Sequence, residues 1–270
     1  VQYRHAPDGH FAALDAVLVS APGRPTLPVR LTVELLGRAR ARLGSPATVA
    51  VWDPCCGAGV TLTVLGLLCP GITALAGTDA DPDPLGLARR NLALLGPGGP
   101  AARAAELEAM AARHGKESYA GAARAVRALD PLSRPEWTVE AADALDPAAT
   151  RAALGGVAPD VVLADLPHGR QTTWARSDAS DDGAGPTDPA AGDGGPTPGA
   201  AHPATDGPAG ALPPEAAFLT AVGAVLAPEA VVVAVGRGRS VPLPEGVRAL
   251  ERVRAGHRAA ALVRARDLHR

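Results

Sequence analysis

The chain has 270 residues, enough for one α/β domain of ordinary size plus irregular segments. It lacks a long apolar span and a signal-type start, which excludes a membrane-spanning reading and leads to the expectation of a cytoplasmic protein, taken as a monomer. Its 3 cysteines, Cys55, Cys56 and Cys69, show neither metal spacing nor a disulfide framework, and the formal net charge of −2 hides an uneven distribution described below.

The first informative unit is Thr48-Val49-Ala50-Val51-Trp52, a β-rich run that leads into Asp53-Pro54-Cys55-Cys56-Gly57-Ala58-Gly59 and then into the helix-like stretch Val60 to Leu68. This reads as strand, glycine turn, helix. Glycines at such a turn permit positive φ and a close backbone approach by a ligand, while the helix N-terminus offers N–H groups. A nicotinamide dinucleotide turn requires a third glycine where Leu62 stands, and Asp53 suits a cationic amine better than a pyrophosphate. S-adenosylmethionine carries such an amine, so Asp53, Cys55, Gly57 and Gly59 are candidate cofactor residues.

A second apolar run, Gly71 to Gly77, ends in Thr78-Asp79-Ala80-Asp81 and precedes a helix pattern from Pro84 to Leu95. An acid at the tip of the second strand can bind both ribose hydroxyls, and Asp79 is the candidate. Next comes an alanine-rich stretch, Ala101 to Asp130, with two helix-like halves broken around His114-Gly115-Lys116. One connecting helix would suffice here, so residues 101–130 look like an added helical pair. Arg103, Arg113, Lys116, Arg124 and Arg127 would make it an RNA-contacting arm; Glu106, Glu108 and Glu117 argue equally for a solvated charged face. The run Val139-Glu140-Ala141-Ala142-Asp143 follows, with Asp143 placed to accept the adenine amino group.

The apolar run Asp160-Val161-Val162-Leu163-Ala164 ends in Asp165-Leu166-Pro167-His168-Gly169. Asp165 and the Leu166 carbonyl, held outward by Pro167, can accept hydrogen bonds from a flat base, and His168 can stack on it for roughly 1–3 kcal/mol. Asp-x-Pro at a strand end is also common turn chemistry. Taken singly, each of these acids is an ordinary turn residue. Four acids ending successive strand runs in a βα alternation define instead an α/β, Rossmann-like, S-adenosylmethionine-dependent methyltransferase, a single domain over 1–270 with a mostly parallel seven-stranded sheet.

Residues 171–212 are rich in Asp, Gly, Pro, Ala and Thr and carry a net −5, so they are expected to form a disordered acidic insertion, and the rest of the chain carries +3. A helix pattern spans Pro214 to Leu226, a buried strand Ala230 to Val235, and two strand-like runs, Val247 to Val253 and Ala259 to Val263, form an antiparallel hairpin through Ala255-Gly256. Arg237, Arg239, Arg248, Arg252, Arg254, Arg258, Arg264, Arg266 and Arg270 face only Glu245, Glu251 and Asp267 there. Such a basic excess attracts RNA phosphates.

Tyr3-Arg4-His5-Ala6, Ser20-Ala21-Pro22-Gly23, Pro28-Val29-Arg30-Leu31, Trp52 to Gly57, Asn91-Leu92-Ala93-Leu94-Leu95, Gly115-Lys116-Glu117-Ser118-Tyr119 and Ala249-Leu250-Glu251-Arg252 together resemble the AviRa-type 23S rRNA methyltransferases that confer resistance to avilamycin-like orthosomycin antibiotics. The resemblance spans nearly the whole chain. It implies methyl transfer from S-adenosylmethionine to ring N1 of a guanine of 23S rRNA or the large ribosomal subunit, with Asp165, Leu166, Pro167 and His168 at the substrate. Two departures stand out: His168 replaces the family's tyrosine, and 171–212 is a long insertion. Three other readings share the features: methylation of guanine N2, methylation of a protein glutamine or small amine, and an RNA-binding protein without turnover.

Overall fold

The structure, a computed structural model, describes residues 2–6, 14, 17–20, 26–167 and 213–269. His168 and the insertion 171–212 lie outside the described residues. A helix absent from the sequence expectations, α1 (Val29–Arg42), precedes β1 (Val49–Asp53), α2 (Val60–Leu68), β2 (Ile72–Asp79) and α3 (Leu85–Leu92). The helical pair α4 (Gly99–His114) and α5 (Glu117–Arg127) leads to β3 (Glu136–Ala141), α6 (Pro147–Ala153) and β4 (Val161–Asp165). After the insertion come α7 (Pro214–Gly223), β5 (Val231–Arg237), β6 (Glu251–Ala255) and β7 (Arg258–Arg264).

The strands form one seven-stranded sheet in the order β3-β2-β1-β4-β5-β7-β6. β3, β2, β1, β4 and β5 are parallel, and β7 runs antiparallel to both β5 and β6. Val49, Val51, Val161, Leu163, Val231 and Val233 point to one face, packed with α1, α2 and α3, whereas Trp52, Val162, Val232 and Ala234 point to the other, packed with α7. Such two-sided burial explains why β1, β4 and β5 are nearly unbroken apolar runs. Each buried Val, Leu or Phe contributes roughly 1.5–3 kcal/mol. Trp52, fully buried, also donates its indole N–H to Thr78 Oγ1 at 3.0 Å, tying β1 to β2.

Several boundaries differ from the sequence expectations. β2 runs on to Asp79 because it keeps pairing with β3, Asp79 opposite Ala141. The helix expected to reach Leu95 stops at Leu92 and tightens into a 3₁₀ turn over Ala93–Leu95, and α7 ends at Gly223 rather than Leu226. β6 begins at Glu251, not Val247, because its pairing with β7 starts there, with Glu251 opposite Leu262.

The N-terminal segment is fastened to α1 by Glu34, whose side chain is fully buried. One of its oxygens, Oε2, accepts hydrogen bonds from the backbone N–H groups of Arg4 (2.8 Å), His5 (2.7 Å) and Ala6 (3.0 Å), and Oε1 accepts one from Arg38 at 2.7 Å. Between β1 and β4 the strand order reverses, and in open α/β sheets that reversal opens a crevice outside the carboxyl ends of the strands.

Candidate active site

β1 delivers Asp53 to that edge as its last residue, 2% exposed. Among the described residues its carboxylate receives one hydrogen bond, from the Cys55 backbone N–H at 3.1 Å. Burial pushes the Asp53 carboxyl well above the usual carboxylate range; the Cys55 bond opposes that shift, and the charges of Asp79 and Asp165 add to it. A buried carboxylate with so little compensation is stabilised by an incoming cation.

β2 ends in Asp79, which braces the glycine turn. Its Oδ2 accepts from the Gly57 N–H at 2.8 Å and its Oδ1 from the Asp81 N–H at 3.0 Å. A carboxylate oxygen takes more than one hydrogen bond, so this bracing is compatible with ribose hydroxyls beside it. The turn continues β1 toward β2, with the Cys56 N–H donating to the Thr78 carbonyl at 2.9 Å.

The two glycines of the turn, expected to serve one purpose, serve two. Gly57 has φ +49° and a Cβ placed on it would meet no atom within 4 Å. Gly59 has φ +69°, caps α2, and a Cβ there would stand 2.9 Å from the Ala88 Cβ of α3. Open space lies over Gly57; helix packing dictates Gly59.

The thiols beside these acids are held protonated. Cys55 is half-buried, and burial followed by the charges of Asp53 and Asp79 pushes its thiol well up. Cys56 is raised by the same causes, and burial pushes Cys69 up to about 12. Asp143 stands two residues past the end of β3, half-buried, with its Oδ1 accepting from the Leu145 N–H at 2.9 Å.

Asp165 is the last residue of β4, on the same face of the sheet as Asp53. Its Oδ1 accepts a 2.6 Å bond from the Arg258 guanidinium, with both side chains mostly buried. Arg258 also donates to the Thr26 carbonyl at 3.2 Å. The sequence grouped Arg258 with a general basic surface; it is instead part of this site. Nothing in local spacing announces a pair 93 positions apart. Leu166 buries its side chain and donates its N–H to the Val235 carbonyl at 2.8 Å, continuing the β4–β5 ladder, and Pro167 is half-buried beside it.

Asn91 is a second residue that sequence reasoning missed. It is 1% exposed on α3, and its Oδ1 accepts from the Val19 N–H while its Nδ2 donates to the carbonyls of Val19 and Ala58, all within 2.9 Å. The available signal was a polar side chain on the same helix face as Leu85, Ala88 and Leu92. On the helical pair, by contrast, Arg103 is held by Glu106, Arg124 by Glu117 and Arg127 by Glu108, while Arg113 and Lys116 form no ion pair among the described residues.

A seven-stranded sheet in this order, with acids at the carboxyl ends of β1, β2 and β4, defines a Rossmann-like methyltransferase. The family model for the rRNA methyltransferase AviRa matches residues 1–184. The chain is 40% identical over 275 residues to the 23S rRNA (guanine(2535)-N(1))-methyltransferase of Streptomyces viridochromogenes, spanning 98% of this chain and 97% of that protein. Two solved structures of the rRNA methyltransferase aviRa from the same organism align with TM-score 0.78 at 38% identity, covering 99% and 100% of this chain and 98% of theirs. The chain belongs to the AviRa family of rRNA methyltransferases.

Proposed function

We propose that this chain transfers the methyl group of S-adenosylmethionine to ring N1 of a guanine in 23S rRNA, and so protects ribosomes from an orthosomycin antibiotic. The observation that carries this reading is the placement of Asp165 beside Asp53 across the reversal of strand order, in a chain so similar to a guanine-N1 enzyme along its whole length. The donor set fits the cofactor. Asp53 supplies a buried anion for its cationic amine, Gly57 leaves room over the turn, Asp79 faces the ribose hydroxyls, and Asp143 takes the adenine amino group. Cys55 contributes its backbone rather than its thiol, and Gly59 sets the direction of α2.

Bound there, the cofactor supplies a methyl group activated by a positive sulfur. The chain then has to present a base. A guanine extruded from its RNA stem is held by Asp165, which accepts the hydrogen bond of N1–H, and by the Leu166 carbonyl set outward by Pro167. His168 is assigned to stack on the base. As N1 forms its bond to the methyl carbon, its proton passes through Asp165 to solvent. With Oδ1 already engaged by Arg258, Asp165 is oriented rather than strongly basic, so most of the rate comes from positioning. No helix among the described residues is long and apolar enough to cross a membrane. We place the enzyme in the cytoplasm with its rRNA substrate, acting as a monomer.

The test is incubation with labelled S-adenosylmethionine and unmodified 23S rRNA, nucleoside digestion and mass spectrometry. N1-methylguanosine is the expected product; N2-methylguanosine would retain the enzyme class and require another base pose, and label on protein alone would overturn the substrate. Asp165→Ala should lose at least about a hundredfold in methyl transfer while binding the cofactor as the parent does. Unchanged turnover would remove Asp165 from the mechanism.

A further inference from the structure

The helical pair and the C-terminal strands were both candidates for the surface that grips RNA, and the structure treats their charges differently. In α4 and α5, Arg103, Arg124 and Arg127 are each held by a glutamate, while Arg113 and Lys116 are exposed and form no ion pair among the described residues. At the carboxyl edge of the sheet, Arg237, Arg239 and Arg254 are exposed and form no ion pair among the described residues. Farther along, Arg264 and Arg266 are drawn to Glu229 at the opposite edge.

The register places Arg237 next to the site, with Arg239 two residues farther along the chain. Arg254, opposite Ala259, lies instead on the edge strand β6 and on the other face of the sheet. Asp165 lies opposite Val235, so Arg237 is two residues beyond it on the neighbouring strand and on the same face. Arg237 in turn lies opposite Arg258, the residue that binds Asp165. Adjacent strands are about 4.8 Å apart, so Arg237 is one strand away from the ion pair at the reaction centre. The turn joining β6 to β7 closes onto the same rim, with the Gly238 N–H donating to the His257 carbonyl at 2.9 Å. That contact holds Arg239, the next residue after Gly238, near the exposed His257.

Resting on the proposed function, we infer that Arg237 and Arg239 form the phosphate-binding rim that guides the RNA backbone flanking the target guanine into the site. An RNA strand is the occupant that fits: it offers phosphates at regular spacing to unpaired guanidinium groups beside a base-sized site, and Arg binds phosphate with paired donors.

The experiment measures binding of the full chain to a 23S rRNA transcript across a salt series, for the parent, for the double variant Arg237→Gln, Arg239→Gln, and for Arg113→Gln, Lys116→Gln on the helical pair. The rim variant should bind at least about tenfold more weakly near physiological salt, with a slope of log affinity against log salt flatter by about 2. Cofactor affinity should stay at the parent value, which reports an intact fold, and Arg→Lys at both positions should restore most of the RNA affinity because the charge is kept. Parent-like affinity and slope in the rim variant, or the loss appearing in the helical-pair variant instead, would overturn the rim while leaving the methyltransferase reading intact. A parent protein that binds no RNA would overturn both.

Discussion

Gly57 and Gly59 stand two residues apart in one turn, and the same substitution should fail differently at each. Gly57→Ala strains the backbone by roughly 1–2 kcal/mol and puts a methyl group into the space over the turn. Its melting temperature should fall by a few degrees while cofactor affinity drops more than tenfold. Gly59→Ala adds a collision with Ala88 to the same strain, so it should destabilise by about 3 kcal/mol or more in denaturant titration. At Asp53 function and stability oppose each other. Its folded carboxyl is raised above the unfolded value of about 4, so its favourable contribution is present below that pH and is lost as pH rises through the raised value. Asp53→Asn should therefore melt higher than the ligand-free parent at pH 8, with the gap closing toward pH 4, yet bind S-adenosylmethionine at least tenfold more weakly. A gap that widened toward acid would refute the assigned cost.

Two elements are held by single buried polar side chains. Asn91 joins α3 to residue 19 and to the cofactor turn, and Asn91→Ala would strand two carbonyls and an N–H, at a cost of about 2–4 kcal/mol. On α1, burial alone would raise Glu34, but the backbone N–H groups of His5, Ala6 and Arg4 and the Arg38 guanidinium outweigh it and hold the carboxyl below its usual range. Its stabilisation is thus present above about pH 4 and lost as pH falls through the lowered value. Glu34→Gln should cost about 1–3 kcal/mol at pH 7 and progressively less in acid, as followed by urea unfolding at several pH values. Neither fastening was legible in the sequence, because each joins segments 28 or more positions apart. β1, β4, β5 and α2 were legible because burial on all sides writes continuous apolar runs, and Asp53, Asp79 and Asp165 were legible because they end those runs. β6 was misplaced because Val247 and Val253 imitate a strand in which pairing, not composition, sets the start. Arg258 was hidden among arginines that look alike until strand register separates them.

At the scale of the whole molecule, ligand and fold are linked through the strand ends. S-adenosylmethionine at 100 times its dissociation constant should add about 2.7 kcal/mol, which moves the melting temperature of a chain this size by about 5–10 °C. Gly57→Ala should lose at least about half of that shift at the same ligand concentration, whereas Asp165→Ala should keep it. Of the 3 cysteines of the chain, Cys55, half-buried, and Cys56, buried, sit in the turn after β1, and Cys69 is buried at the far end of α2. Alkylating reagents attack the thiolate, and burial keeps each of these sulfurs in its unreactive form near neutral pH. A cysteine introduced at Arg239 would then be the sole group to take a maleimide dye. Single-site labelling therefore needs no native cysteine removed, and an optical reporter on the rim could follow the arrival and departure of RNA in real time.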